Sequence, residues 1–207
     1  MSYTTCHMSV SLDGFVAGPN QSRENPLGER GLELHGWHIG DERANDADAI
    51  ATGWLMRPRG AYIMGRNMFG PIRDEWALGD DGKIEWNGWW GPDPPYHAPV
   101  FVLTNHPRAP LVMRGGTTFT FVTEGITQAL AQAIASSPDG TVSIAGGAST
   151  ARQYLQAGLV DALRLHLAPV LLGTGERLFD GLNALNLEPL EARATALVTH
   201  LAYRVIP

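Results

Sequence analysis

The residues best suited to chemistry are two adjacent glycines that interrupt an apolar run, Val142-Ser143-Ile144-Ala145-Gly146-Gly147-Ala148-Ser149-Thr150. The run reads as a strand that breaks on the glycines and restarts as a helix. At such a junction a ligand can approach the backbone closely, the first helical N–H groups lack partners, and the helix dipole presents its positive end. The chemistry on offer is anion binding, above all of phosphate. A second junction of the same kind, Ala61-Tyr62-Ile63-Met64-Gly65-Arg66-Asn67-Met68, adds a guanidinium suited to gripping phosphate oxygens. Either junction alone also reads as an ordinary tight turn. Together they point to a dinucleotide, one phosphate region to each.

These junctions need strands and helices to hold them. Tyr3 to Leu12 is rich in β-formers and reads as a first strand, stopped by Asp13-Gly14 and followed by a loop with glycine hinges. Leu32 to Ile39 reads as a short helix, and Ala44 to Met56 as a longer one, with Ala47, Ile50, Ala51, Trp54 and Leu55 at helical spacing and Arg57-Pro58 as its stop. Strands follow at Ala61–Met64, Val100–Thr104 and Thr118–Thr123. The spacing of Ile126, Leu130, Ala133 and Ile134 predicts an amphipathic helix, and another runs from about Ser149 to Ala157 with Gly158 as its stop. The tail is β-like, with long segments at Asp161–Leu172 and Thr195–Ile206. Strands separated by helices imply a mostly parallel sheet covered on both faces. Two late strands without a long helix between them imply an antiparallel edge.

The 207 residues suit one soluble domain, with 44% hydrophobic and 17% charged residues. A net charge of −6, with fifteen Lys and Arg forming no basic run, argues against a broad nucleic-acid surface. No apolar run reaches the roughly 20 residues of a membrane span. Cys6 is the single cysteine, so neither an intrachain disulfide nor a cysteine-rich zinc site is available; its place in the first strand suits a buried small hydrophobe. The seven histidines are scattered and no metal site is expected. The amino terminus lacks the basic start and apolar stretch of a secretory signal, so the expected location is cytoplasmic. The stretch from Gly79 to Pro99, with Trp86, Trp89, Trp90 and Tyr96, reads as a cover over a site or an interface, or as a well-packed surface loop.

In this order, the apolar strand, the Asp-Gly loop, the strand with Met64-Gly65-Arg66, the strand ending Thr104-Asn105 and the strand with Gly146-Gly147 and its helix resemble the dihydrofolate reductase fold. More narrowly, Ser11-Leu12-Asp13-Gly14-Phe15-Val16-Ala17-Gly18, Gly65-Arg66-Asn67-Met68-Phe69-Gly70 and Leu167-Ala168-Pro169-Val170-Leu171-Leu172-Gly173-Thr174-Gly175-Glu176-Arg177-Leu178-Phe179 look like the reductase domain of the bifunctional riboflavin-biosynthesis deaminase-reductase and its free-standing bacterial relatives. The likeness spans nearly the whole chain.

The resemblance implies a single α/β domain over residues 1–207, with a mostly parallel central sheet, helices on both faces and an antiparallel C-terminal edge. It implies an NADPH-dependent reductase that transfers hydride to a small heterocyclic or sugar-linked substrate. The nearest such substrate is the pyrimidine intermediate of riboflavin biosynthesis that bears a ribosylamino phosphate. A dihydrofolate or pterin reductase and a non-catalytic NADPH-binding protein are the alternatives. Carried over residue by residue, the cofactor would meet Gly65, Arg66, Asn67 and Met68, then Thr104 and Asn105, then Gly146, Gly147, Ala148, Ser149 and Thr150. Its nicotinamide would lie against Ser9, Val16 and Ala17. His106 and Arg108 would add to recognition of the 2′-phosphate, and the Gly146-Gly147 peptide is expected to be cis, as in dihydrofolate reductases. Asp13 matches an acid near substrate and nicotinamide, a catalytic reading that stands beside its reading as the first residue of a turn. Arg177 is a candidate clamp for a substrate phosphate, or a solvated arginine. The deaminase half of the family's bifunctional members has no counterpart, for there is no His-x-Glu with a Pro-Cys-x-x-Cys partner. Glu29, Glu33 and Asp41 do not fall into register with the acid that grips the pterin in dihydrofolate reductases. The expected partners are a small-molecule substrate and a second copy of the chain, with no nucleic acid or membrane.

Overall fold

The first apolar run forms β1 (Tyr3–Ser11), and the Asp13-Gly14 turn leads into a short β2 (Phe15–Ala17). The computed structural model describes residues 2–40, 43–70, 74–80, 82 and 84–206. After β2 come α1 (Asp46–Leu55), β3 (Ala61–Gly65), the single turn α2 (Arg66–Phe69), β4 (Pro99–Leu103), β5 (Leu111–Val112) and β6 (Thr118–Val122). The chain continues through α3 (Ile126–Ser136), β7 (Thr141–Gly146), α4 (Ala148–Gln156), β8 (Ala162–Ala168), β9 (Glu176–Arg177), β10 (Asn186–Ala194) and β11 (Thr199–Ile206).

Among the described residues, nine strands form one sheet in the order β10-β11-β8-β1-β7-β3-β4-β6-β5. The six strands from β8 to β6 run parallel to their neighbours, while β10, β11 and β5 pair antiparallel at the edges. β2 and β9 make a separate small ribbon. This is the expected α/β architecture with an antiparallel C-terminal edge.

Strand alternation divides the core. Cys6, Met8 and Val10 of β1 point to one face, where Ala129, Leu130 and Ala133 of α3 and Ala151, Tyr154 and Leu155 of α4 close over the sheet. Tyr154 is fully buried yet keeps its hydroxyl satisfied by donating to the Ile126 carbonyl at 2.8 Å. The opposite face packs Leu34, Trp37 and Ala51 against Ala168, Leu197 and Val198. A third, aromatic cluster of Phe69, Phe119 and Phe121 takes in Trp76, Trp86, Trp90 and Tyr96 of the tryptophan-rich stretch. Cys6 is buried, and burial pushes its thiol up to about 12.

Local chemistry sets several boundaries. α1 starts where Asn45 and Asp48 form a capping box, a pairing worth ~1 kcal/mol. The helix expected over residues 32–39 is instead a 3-10 turn at Gly31–His35 followed by further turns. The long tail segment stops at Ala168, where Pro169 has no N–H to continue the ladder. β10 has no forerunner in the sequence reading, because Asn186–Ala194 is exposed on both faces and carries no alternation. Its Pro189 is tolerated on an edge strand, beside an irregularity in the pairing.

Candidate functional site

The two glycine junctions lie side by side. β3 and β7 are parallel neighbours, so their C-terminal ends bring Gly65 next to Gly146 and the start of α4. A methyl group on Gly65 would run into Thr150 Oγ1, so only glycine lets the second junction close on the first. Gly146 has φ +117°, a conformation that L side chains rarely adopt, and its peptide bond to Gly147 is cis, as expected. Over Gly147 nothing lies within 4 Å of where a Cβ would stand, leaving the backbone open. α4 follows without a side-chain cap, so the N–H groups of its first turn stay free for a ligand.

A cleft of about 670 Å³ opens at this point, beyond the carboxyl ends of the parallel strands. Ser9, Val16, Ala17, Gly65, Arg66, Asn67, Met68, Thr104, Asn105, Gly146, Gly147, Ala148, Ser149 and Thr150 all line it. Four strands, two helix starts and the β2 ribbon therefore converge on one concave surface. Asn67 Nδ2 donates to Gln21 Oε1 at 3.0 Å and ties the loop after β2 to the rim.

Arg66 gives the cleft its charge. Its guanidinium stacks on Trp76, with Cζ 3.4 Å from the ring centroid, and its buried Nε has no hydrogen-bond partner. Arg108 lies over the same ring at 4.9 Å, held by donation to the Trp86 carbonyl at 2.6 Å and to Asn87 Oδ1 at 3.0 Å. Burial, reinforced by the nearby Arg108, lowers the Arg66 pKa to about 10. Among the described residues no carboxylate forms an ion pair with either guanidinium. A half-buried cation beside a second cation, without a counter-ion, is the electrostatic signature of an anion site.

Asp13 and Arg177 lie elsewhere. Asp13 is exposed and does not line the cleft; its two carboxylate oxygens accept from Leu172 N–H at 3.1 Å and Gly173 N–H at 2.7 Å, and Ser11 Oγ donates to it at 2.6 Å. Partial desolvation raises its pKa, but the hydrogen bonds from Ser11, Gly173 and Leu172 prevail and hold it at about 2. Asp13 thus pins the loop after β8 to the turn after β1. Asp13→Asn is expected to leave NADPH affinity within about twofold while lowering the melting temperature by a few degrees, as typical for a lost charge-assisted bond; calorimetry on both proteins reads the two quantities. A tenfold loss of affinity would return Asp13 to the site. Arg177 places its guanidinium 4.6 Å from the Phe15 ring centroid, outside the cleft. Glu29 accepts from Asn20, Glu33 pairs with Arg30 at 2.8 Å, and Asp41 lies outside the described residues. His106 does not line the cleft and offers its carbonyl to Trp76 Nε1 at 3.0 Å.

Several cleft residues escaped the sequence reading. His7 and His35 line it, as do Gln21 and Glu176. The signal for His7 was available: β1 alternation puts residues 7 and 9 on one face, so an argument for Ser9 carries His7 with it. Behind them lies a buried polar chain. Asp48 Oδ1 meets His200 Nε2 at 2.9 Å, His200 Nδ1 meets His166 Nδ1 at 2.8 Å, and Trp37 packs on the His166 ring at 4.0 Å while its Nε1 donates to Ser9 Oγ at 3.0 Å. Trp89 faces the cleft, Trp86 and Tyr96 pack into the protein's own aromatic cluster, and Trp90 does both. The described residues contain no group of three or more potential metal ligands, and no described helix is long and apolar enough to cross a membrane.

Comparison with solved structures places this architecture. A protein from Shewanella sp. PV-4, described as a riboflavin biosynthesis protein, superposes with a TM-score of 0.65 at 23% identity, covering 99% of both chains. A pyrimidine reductase-like protein from Corynebacterium diphtheriae gives 0.58 at 15% identity over 100% of this chain and 92% of its own. Dihydrofolate reductase from Enterococcus faecalis, complexed with NADP(H), gives 0.54 at 13% over 99% and 97%. These likenesses establish a dihydrofolate-reductase-like fold. Among curated proteins none matches the sequence. The family model of the RibD C-terminal domain matches residues 2–201, and the chain belongs to that reductase-like family of riboflavin biosynthesis.

Proposed function

We propose that the protein is an NADPH-dependent oxidoreductase that reduces a carbonyl or imine carbon of a small heterocyclic or sugar-linked molecule. The observation that carries this reading is Arg66. Its guanidinium lines the cleft at the second glycine junction with a buried, unpartnered Nε and, among the described residues, no counter-ion. A 2′-phosphate supplies the charge and the acceptor atoms that this group lacks, which favours NADPH over NADH. The open backbone at Gly147 and the free N–H groups at the start of α4 suit a pyrophosphate in the same way. The residues present fit the cofactor.

NADPH, when bound, supplies the hydride. The chain's own contribution is placement. Arg66 and the first turn of α4 fix the phosphate regions, Thr104 and Asn105 border the adenosine side, and Ser9, Val16 and Ala17 form the surface for the nicotinamide. Ser9 is held by the Trp37 indole, which donates to its oxygen and leaves the hydroxyl proton free to point into the cleft. Isothermal titration should show one NADPH per chain, and a panel of carbonyl and imine acceptors should then drive loss of the nicotinamide absorbance. Absence of heat on titration would remove the reading. Binding without turnover across the panel would support a non-catalytic binder instead.

A further inference from the structure

Strand alternation puts His7, Ser9 and Ser11 on one face of β1, and the two serine hydroxyls are spent differently. Ser11 Oγ donates to Asp13 Oδ1 at 2.6 Å and accepts from the Phe15 N–H at 2.9 Å. Ser9 lines the cleft, and its Oγ accepts from Trp37 Nε1 at 3.0 Å. An indole N–H can only donate, so the Ser9 oxygen is the acceptor of that bond and its own hydrogen must find a partner elsewhere. Among the described residues none accepts it. Taking the indole proton also polarises the hydroxyl and makes it the stronger donor. The neighbouring imidazoles are less available: His7 Nδ1 and His35 Nε2 are sealed from solvent, and His35 Nδ1 is engaged with His38 Nε2 at 3.0 Å.

Trp37 is itself fixed. It is buried, its ring lies 4.0 Å from that of His166, and it meets His38 and His200 edge-on at 4.5 and 5.1 Å. His166 and His200 are locked in turn. The Asp48 carboxylate is buried in the first turn of α1, where the helix dipole favours negative charge, and it accepts from the Asn45 N–H, Thr195 Oγ1 and His200 Nε2. A carboxylate only accepts, so His200 carries its proton on Nε2 and offers a bare Nδ1. His166 therefore donates from its own Nδ1 across the 2.8 Å between them. Neither ring can turn without breaking this chain. Through two imidazoles and an indole, Asp48 sets the direction in which the Ser9 hydroxyl points.

We propose that Ser9 is a catalytic residue, a hydrogen-bond donor to the substrate atom on which negative charge builds during reduction, and that Trp37 is its positioning residue. The proposal rests on the reading of the cleft as the site of an NADPH-dependent reductase and adds a group at the end assigned to the nicotinamide. With the bound cofactor as hydride source, the substrate carbon gains a hydride with its electron pair. The π pair withdraws onto the carbonyl oxygen or imine nitrogen, and that atom takes one proton from solvent. Ser9 keeps its own proton throughout. Its hydroxyl donates more strongly as that oxygen or nitrogen becomes more negative, so the bond favours the transition state over the bound ground state. Because Trp37 has already aimed the hydroxyl, little reorganisation precedes the step.

The test uses the full chain and begins with titration of NADPH, where absence of heat overturns the cofactor reading. NADPH oxidation is then followed with the pyrimidine that bears a ribosylamino phosphate and with the carbonyl and imine panel. If the wild type reduces none of them, the enzyme reading falls and the role of Ser9 falls with it. With a working substrate, Ser9→Ala is expected to lower kcat about 10- to 100-fold while KM and NADPH affinity stay within about threefold. Ser9→Thr, which keeps a hydroxyl, should stay within about fivefold of the wild-type kcat. Trp37→Phe keeps an aromatic ring against His166 but has no N–H, so kcat should fall, and the double variant with Ser9→Ala should be no slower than Ser9→Ala alone. A kcat that Ser9→Ala leaves unchanged, or a loss confined to KM, overturns the catalytic role. Losses that multiply in the double variant overturn the positioning role. Melting curves check that each variant folds, and if Trp37→Phe does not, Ser9→Ala and Ser9→Thr decide.

Discussion

Replacing Arg66 by alanine is expected to weaken NADPH about 10- to 100-fold, the ~1.5–3 kcal/mol of a charge-assisted hydrogen-bond set, while NADH changes by less than about threefold. The guanidinium has one unpartnered buried Nε and, among the described residues, no counter-ion, so its charge is available to a bound anion. The 2′-phosphate is the group that distinguishes the two cofactors. Arg66→Lys should fall between, because the charge stays but the planar fork and its stacking on Trp76 are lost. Without ligand, removal of a half-buried cation beside Arg108 relieves repulsion, so the apo protein should not lose stability beyond the lost contact with Trp76. Titration calorimetry with each cofactor reads the difference, and equal losses for NADPH and NADH would sink the 2′-phosphate assignment.

The second large effect is on stability in mild acid. Burial holds His7, His35 and His166 well below the ordinary histidine value, at about 3, about 4 and about 2. For His166 the neighbouring His200, His7, His38 and Arg164 push further in the same direction. The unfolded chain binds these protons near pH 6.5, and the folded chain refuses them until much lower. Stability is therefore fully present above pH 6.5 and drains as the pH falls from there, down to about 4 for His35, about 3 for His7 and about 2 for His166. Each histidine contributes up to ~1.4 kcal/mol per pH unit in that window, so the three together approach ~4 kcal/mol per unit. Urea unfolding at a series of pH values should show the midpoint dropping steeply below pH 6.5, and His35→Gln should remove about a third of the slope. A midpoint that stays flat from pH 7 to 5 would show that the cluster is solvated.

Much of this was legible in the sequence because the relevant signals are local. The two glycine junctions, the Asp-Gly turn and the amphipathic pattern of α3 each name their element in a few residues, and the strand-helix alternation implies the parallel sheet. The expected cofactor residues all reach one cleft because they lie at strand ends, and strand ends of a parallel sheet are gathered by the topology itself. What stayed hidden depends on distant partners. β10 is extended because β11 pairs with it, although nothing in its own pattern asks for a strand. Asp13 looked like an acid for catalysis, and the backbone N–H groups it accepts from stand 159 and 160 positions later. Neither the isolation of Arg177 from the cleft nor the chain from Asp48 through His200 to His166 can be read from neighbours along the sequence. His7 is the exception, since strand periodicity alone pairs it with Ser9.

The last of the described strands in chain order is an inner one. β11 lies between β10 and β8, and its His200 bonds to Asp48, a separation of 152 residues along the chain. During synthesis the ribosome delivers every parallel strand, from β1 to β8, before the segment that closes the far seam exists. Until residues 199–206 emerge, β8 presents a bare edge, β10 has nothing to pair with and α1 waits for its anchor. Closure of this seam is thus a long-range step that follows the parallel strands, and until it happens the bare edge of β8 is open to pairing with other chains.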